Sequence, residues 1–483
     1  MPNRFFRYLN RYNCVRVASW SVLAAAGCIG YCEASKKGGK VDVVRVKAKL
    51  LIPGRGLPIE NGMILINGNK IVHAGTKLDA VEMEKYNITS SWEAPVAMPG
   101  MWDVHVHFIG ESDTPKGGLY DSMLRDHVAT RAARCVAHAA KALDAGFTSV
   151  REVGGIGCHL AKLVEEKAIR GPSIYYAGQI LSTTGGHGDE HDVPLECLAA
   201  GGADRMIGYL CDGVPECLKA VRIQVRNGAS LIKVCTSGGV MSKVDDPKHQ
   251  QFSSAELNAI VQEAARSGCS VAAHCHGKAG IKAALDAGCK TIEHGTYLDE
   301  ELAKSMKSKG AILVPTRWII ESLLNMIHAH SDENLEDYQV LKLKEIADTH
   351  MEGMKLAYKM GVKIALGTDM FISTGWGFHG EECHYLEQIG MSPLEVIEAA
   401  TANGPCTLGE KAPKSGILAA GYDADILVLD ENPLHNISIL GNPKNVKVIF
   451  KGGEVVKNTT YGLANSGKPE NREGKAFAFW NRA

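Results

Sequence analysis

No stretch of this sequence stays apolar long enough to cross a bilayer. The best candidate, Val17 to Ile29, is 13 residues, against the roughly 20 that a hydrocarbon core demands. A field of one sign is missing as well: 53 Lys and Arg stand against 54 Asp and Glu, a formal net charge of -1, so nothing steers the chain onto nucleic acid or an anionic membrane. There is also no disulfide framework. The 14 cysteines recur at no fixed spacing, and Cys235, Cys269 and Cys289 fall inside apolar segments, as buried thiols do. These absences point to a soluble globular protein whose partner is a small molecule. With 45% hydrophobic residues over 483 positions, there is apolar material for one large or two modest cores.

The first forty residues stand apart. Arg4, Arg7, Arg11 and Arg16 precede the apolar run, small residues follow near Cys32 to Ala34, and no acid occurs before Glu33. That order suits a secretory signal peptide, the favoured reading, while the Arg-rich, acid-poor start also suits a mitochondrial transit peptide. An uncleaved membrane anchor is the weaker reading, so no stable span is expected in the mature protein. Ala26-Gly27-Cys28 lacks the large aliphatic residue of a bacterial lipidation box, and the sequons at Asn87, Asn436 and Asn458 are too short to decide the compartment.

Beyond the lysine- and glycine-rich stretch Ser35 to Lys40, short alternating apolar segments run to residue 97 with turns between them, as in Ile66-Asn-Gly-Asn-Lys-Ile-Val. They predict a small sheet over 41–97. From Met98 the pattern becomes strand, long amphipathic stretch, glycine, repeated. Eight strands are expected: Met101 to Phe108, Phe147 to Val153, Ser173 to Ile180, Ser230 to Cys235, Ser270 to His276, Thr291 to His294, Ala311 to Pro315 and Lys363 to Thr368. Between them lie helices such as Ser253 to Ser267, where Ser253 and Glu256 have capping-box spacing and Leu257, Ile260, Val261 and Ala264 share one face. Eight such units predict an α/β fold, a (β/α)₈ barrel over 98–412, with a doubly wound open sheet as the rival. Alternation returns in Gly421 to Leu429 and Val446 to Glu454, so 413–460 and 41–97 are expected to form one β-sandwich subdomain from both flanks of the barrel. The tail 461–483 is polar.

His105 and His107 sit at i and i+2 of the first expected strand, so both imidazoles point to the same face. A lone His-x-His is weak, and by itself favours a structural role. Lys233 lies in the apolar fourth strand, Leu231-Ile-Lys-Val-Cys, where a bare ammonium is expensive. It requires an internal ion pair, or a depressed pKa that lets the neutral amine take up carbon dioxide as a carbamate. His274, His294 and Asp369 each close a further strand, in Ala272-Ala-His-Cys-His, Ile292-Glu-His-Gly and Leu366-Gly-Thr-Asp. Six potential ligands at one end of a barrel form a pattern that single satisfied histidines do not explain.

Together with Met98-Pro-Gly-Met-Trp-Asp-Val-His-Val-His, Val150-Arg-Glu-Val-Gly-Gly, Gly185-Gly-His-Gly-Asp, Ile232-Lys-Val, Ala273-His-Cys-His-Gly, Glu293-His-Gly, Gly367-Thr-Asp and Gly421-Tyr-Asp-Ala-Asp-Ile, the sequence resembles the binuclear branch of the amidohydrolase superfamily, with its imidazolonepropionase-like and Xaa-Pro dipeptidase groups. The resemblance spans Val41 to Lys457. Further similar segments are Ser237-Gly-Gly-Val-Met-Ser, His276-Gly-Lys-Ala-Gly-Ile, Thr401-Ala-Asn and Lys451-Gly-Gly; Arg151-Glu152 stands where the family usually has Arg-Asp.

The resemblance implies two divalent cations, zinc foremost with manganese or cobalt as alternatives. His105, His107 and Asp369 would hold one, His274 and His294 the other, bridged by carboxylated Lys233. It further implies attack by a metal-activated hydroxide, with Asp369 carrying the proton from water to the leaving nitrogen. His187 and His276 are candidates for catalysis and for substrate carbonyl or carboxylate contacts, the alternative being support of the ligands. Arg317 is a candidate for a substrate carboxylate, a surface salt bridge being equally open. The implied substrate is a peptide-like amide beside a free carboxylate: a dipeptide, an N-acyl amino acid or an ochratoxin-like amide. Cyclic amide opening and a non-catalytic scaffold are the alternatives, and a homo-oligomer is expected by analogy.

Overall fold

The computed structural model describes residues 40–112, 121–191, 193–196, 207–329 and 335–460. The expected targeting segment, the residues of its expected linker before Lys40 and the expected polar tail lie outside the described residues.

The chain opens with β1 (Val41–Leu51), β2 (Ile59–Asn67), β3 (Lys70–Gly75) and β4 (Tyr86–Pro99). Gly68 takes a left-handed φ of 56° as the first residue of the two-residue Gly68-Asn69 turn between β2 and β3, a position where such hairpins favour glycine. The barrel strands follow: β5 (Met101–Val106), β6 (Phe147–Glu152), β7 (Ser173–Tyr176), β8 (Ile180–Ser182), β9 (Gly208–Leu210), β10 (Leu231–Cys235), β11 (Ser270–Cys275), β12 (Thr291–His294), β13 (Ile312–Val314) and β14 (Lys363–Ile364). The chain returns through β15 (Ile426–Leu429), β16 (Val446–Lys451) and β17 (Glu454–Asn458).

The two flanks build one sheet, ordered β17-β16-β15-β4-β1-β2-β3. β15 runs antiparallel to β4, with Ile426 opposite Pro99 and Val428 opposite Ala97. One core joins Val46, Ile64, Ala97, Ile426, Val448 and Phe450 from both ends of the sequence.

The barrel strands pair in parallel as β5-β6-β7 and as β14-β13-β12-β11-β10-β8-β9. Backbone bonds join these two arcs at both seams. Val104 N donates to Leu366 O at 2.9 Å and His107 N to Met370 O at 2.9 Å, and on the other side Ser230 N donates to Tyr176 O at 2.8 Å. The sheet therefore closes on itself, which excludes the open-sheet alternative. Two details correct the expected strands. The third breaks in two at Gly178, whose φ of 78° lets the chain turn where a side-chain-bearing residue would be strained. The eighth pairs regularly over only Lys363–Ile364, because residues 366–370 leave β13 to bond with β5.

Helices cover the barrel. The one at Ser254–Ala265 starts on the expected capping box and buries Leu257, Ile260 and Ala264. Three others end on left-handed Gly288, Gly310 and Gly361, the usual glycine stop. Inside the barrel Val104, Leu231, Ala272, Ile312 and Ala365 pack as one plug. Ten cysteines fall in the described residues; none forms a disulfide, and eight are buried.

Candidate active site

Above the plug the strand ends converge on a histidine cluster. His105 Nε2 and His107 Nε2 lie 3.4 and 3.2 Å from Asp369 Oδ1. The other nitrogen of each ring is engaged: His105 Nδ1 donates to Glu293 Oε2 at 2.8 Å and His107 Nδ1 to the Gly154 carbonyl at 2.7 Å. With Nδ1 protonated, a neutral ring presents its Nε2 lone pair. From the opposite wall come His274, His276 and His294, with ring centroids 4.6 Å apart for 274–294 and 4.8 Å for 276–294. His294 Nδ1 is bonded to Thr316 Oγ1 and His276 Nδ1 to Thr296 Oγ1, each at 2.7 Å, and His274 Nε2 to the Gly238 carbonyl at 3.2 Å.

Burial disfavours a positive charge on His105, His274, His276 and His294. It pushes His105 down to about 4, helped by Lys233, and pushes His274, His276 and His294 well below the ordinary imidazole value. Burial also lowers Lys233, which is 2% exposed and makes no hydrogen bond or ion pair with any described residue. Asp369 goes the other way. Burial opposes its ionisation, but His105, His107 and Lys233 together hold its carboxyl well below the usual range.

Neutral imidazoles, an ionised carboxylate and a buried amine that makes no hydrogen bond among the described residues are a donor set that suits a divalent cation. The ligand atoms of His274, His276 and His294 lie within 4.8 Å of one another, and so do those of His105, His294 and Asp369. The backbone is strained at the same place: His294, Thr316 and Asp369 take left-handed φ values of 70°, 58° and 58°. Such conformations cost about 1 kcal/mol or more each for residues with a Cβ and gather at functional sites.

Sequence pattern alone does not mark the residues that hold the cluster. Glu293, fully buried, binds His105 and receives two 2.8 Å bonds from Arg151 Nη2. Asp103, also fully buried, accepts from the backbone of His105 and Thr368, from Thr368 Oγ1 and from His379 Nδ1, so it clamps the segment carrying Asp369 against β5. A charged residue in an apolar strand was the available signal. It marks Lys233 but applies equally to Asp103, Arg151 and Glu293. Of the substrate-contact candidates, His187 stacks on His274 at 4.1 Å and its charge is disfavoured by burial; His276 sits within the cluster. Arg317 is buried and engaged elsewhere: its Nε and Nη2 donate to Glu321 Oε1 at 2.8 and 2.6 Å and its Nη1 to the Ala347 carbonyl.

A closed barrel bearing this cluster, flanked by a sheet from both chain ends, coincides with a match of residues 96–456 to the amidohydrolase family model. The chain belongs to the amidohydrolase family. This amidohydrolase is 43% identical to ochratoxinase of Aspergillus niger over 427 residues, 86% of this chain and 87% of the relative. The crystal structure of that ochratoxinase superposes with a TM-score of 0.79 at 40% identity, covering 88% of this chain and 98% of the other. A prolidase complexed with N-methylphosphonate-L-proline gives 0.77 at 29% identity, over 86% and 100%. A Xaa-Pro dipeptidase with bound methionine in its active site gives 0.74 at 28%, over the same shares. The amidohydrolase is thus a hydrolase acting on carbon–nitrogen bonds, in a family that is generally metal-dependent.

Proposed function

We propose that this amidohydrolase cleaves a linear, peptide-like amide that stands beside a free carboxylate, in a dipeptide, an N-acyl amino acid or an ochratoxin-like amide, using two divalent cations. The observation that carries this is the gathering of His274, His276 and His294, and of His105, His294 and Asp369, beside a buried Lys233 that makes no hydrogen bond among the described residues. His105, His107 and Asp369 would hold one cation, His274 and His294 the other, and Lys233, as a carbamate, would bridge them; zinc suits the nitrogen and oxygen donors best. When bound, the cations supply Lewis-acid polarisation of the scissile carbonyl and a nucleophilic hydroxide near neutral pH.

The chain's own residues do the rest. Asp369 Oδ1, held against two histidines, accepts the proton of the attacking water and returns it to the leaving nitrogen, so the amide ends as acid and amine. Glu293 and Asp103 keep His105 and the Asp369 segment in place. His187 and His276 face the substrate. Arg317 takes a substrate carboxylate only by exchanging Glu321 for it. Likeness to an ochratoxinase and to two proline-directed dipeptidases supports linear over cyclic amides. An N-terminal targeting segment, with a signal peptide favoured, and a homo-oligomer belong to the same proposal.

Elemental analysis of purified protein should find two metal equivalents per chain. Lys233→Ala should fall to one or none and lose activity on an N-acyl amino acid and dipeptide panel, with part of it restored by short carboxylic acids that replace the carbamate. One equivalent in the wild type, or full activity in the unrescued variant, contradicts the bridge.

A further inference from the structure

We propose that the small flanking sheet carries a second binding site, built from no residue of the histidine cluster, for a free amphipathic carboxylate. The ligand is an anionic head on a long apolar chain, as in a fatty acid. The site is a groove on the face of β1 and β2 turned away from the core that the two flanks share.

The cationic half follows from strand alternation. β1 lies between β4 and β2 in the sheet. Val46 and Ala48 enter the shared core, so Arg45, Lys47 and Lys49 all stand on the opposite face. The register sets Met63 and Glu93 on either side of Lys47, and Leu65 and Ser91 on either side of Arg45. Three like charges in a row on one strand repel one another, and the neighbours do little to offset them. Glu93, the one acid lining the groove among the described residues, pairs with Lys47 at 3.2 Å. Arg45 Nε donates to the neutral Ser91 hydroxyl at 3.1 Å. Lys49, and Lys77 from the segment after β3, line the groove without a hydrogen bond or ion pair to any described residue. The groove therefore holds four cations against one acid, although the chain as a whole is balanced. Charge complementarity calls for an anion.

The apolar half comes from β2 and the segment that crosses it. Val43, Met63 and Leu65 form a small core of their own on this face, packed against Leu78, Met83 and Tyr86. Met63, Leu78 and Met83 also line the groove, beside the cations. The groove encloses about 580 Å³, within the range of small-molecule sites. An inorganic anion would use the lysines and leave the methionines uncovered; a neutral apolar molecule would do the reverse. A carboxylate on an apolar chain satisfies both. The apolar part is recessed, with Met63 4% exposed, so a single chain can enter where the flat surface of a bilayer cannot reach.

The test titrates metal-loaded, full-length enzyme, carrying ¹³C at its methionine methyls, with decanoate below its micelle concentration and with acetate. The Met63 and Met83 signals, assigned from Met63→Leu and Met83→Leu, should shift saturably with decanoate. Decanoate should bind about a hundredfold more tightly than acetate, since each methylene removed from water contributes about fourfold. Lys49→Glu combined with Lys77→Glu should weaken decanoate about tenfold or more, and the neutral pair Lys49→Gln with Lys77→Gln less. Added salt should weaken wild type more than the charge-reversed variant. Both lysines are exposed and remote from the histidine cluster, so amide hydrolysis should stay at the wild-type level and report that the variants are folded. Met63 and Met83 signals that do not move, equal affinity for acetate and decanoate, or an affinity untouched by charge reversal overturns the site. So does binding to phosphatidylserine vesicles without binding to decanoate, which would make this face a membrane contact.

Discussion

Asp369 is asked to hold a cation and to move a proton, and substitution separates the two duties. Asn keeps an oxygen ligand but is no base, so Asp369→Asn should retain much of its metal while kcat falls by roughly 10² to 10⁴, the usual share of acid–base catalysis. Wild-type kcat with metal in place would send the proton by another route, such as His276. Glu293 carries a different load. It neutralises Arg151, both side chains being fully buried, and orients His105. Burial would raise its pKa, but Arg151 and His105 hold the carboxyl well below the usual range. Glu293→Gln leaves the guanidinium without a counter-charge and should cost about 3–5 kcal/mol in denaturant unfolding. It should also weaken metal binding by about 10- to 100-fold in a chelator titration, the usual cost of losing a group that orients a ligand. Unchanged values in both measurements would remove Glu293 from the scheme.

Where elements meet, Glu152 links the end of β6 to the helix Gly157–Glu165, accepting from Gly157 N at 2.7 Å. Its second oxygen, Oε2, has no hydrogen-bond partner among the described residues, and burial pushes its pKa up to about 8. The unfolded chain releases this proton near the ordinary carboxylate value, the folded one only near 8. The native state therefore binds more protons between those limits, and stability falls as pH rises through that window. Glu152→Gln, which cannot ionise, should remove this dependence: relative to wild type it should gain a few kcal/mol at pH 9 compared with pH 4. Equal wild-type and variant slopes would show that Glu152 ionises in the folded state at its ordinary pKa. The same junction carries Gly154, whose carbonyl receives His107 Nδ1 and whose φ of 151° a side-chain-bearing residue rarely adopts.

For the molecule as a whole, the sheet shared by both chain ends has a consequence for truncation. Removing 413–460 strips β15 from β4 and takes Ile426, Val428, Val448 and Phe450 out of the core they share with Val46 and Ile64. The exposed β4 edge and open apolar face should make the shortened protein insoluble. A soluble, folded barrel seen by circular dichroism and size exclusion would show that the flanks are dispensable. Among the described residues no helix is long and apolar enough to cross a membrane.

Strand periodicity, glycine stops and the placing of His105, His274 and His294 toward the C-terminal ends of strands, with Lys233 inside one, were legible because barrel geometry maps a local pattern directly onto one face, whereas Asp369 lies beyond the regular part of the eighth strand. A capping box read from Ser253 and Glu256 also needs only local contacts. What the sequence could not decide depends on partners far apart in the chain. The break at Gly178 and the shortened eighth strand arise where the sheet must close, and the pairing of residues 366–370 with β5 is a long-range choice. The same holds for Glu293 with Arg151 and Asp103 with His379: a side chain's polar pattern says that it needs a partner, but which groups come within hydrogen-bond reach is set only by the folded backbone. Arg317 shows the limit most plainly, since its charge and position suggest a substrate carboxylate, while the helix it begins places Glu321 one turn away and the guanidinium binds there instead.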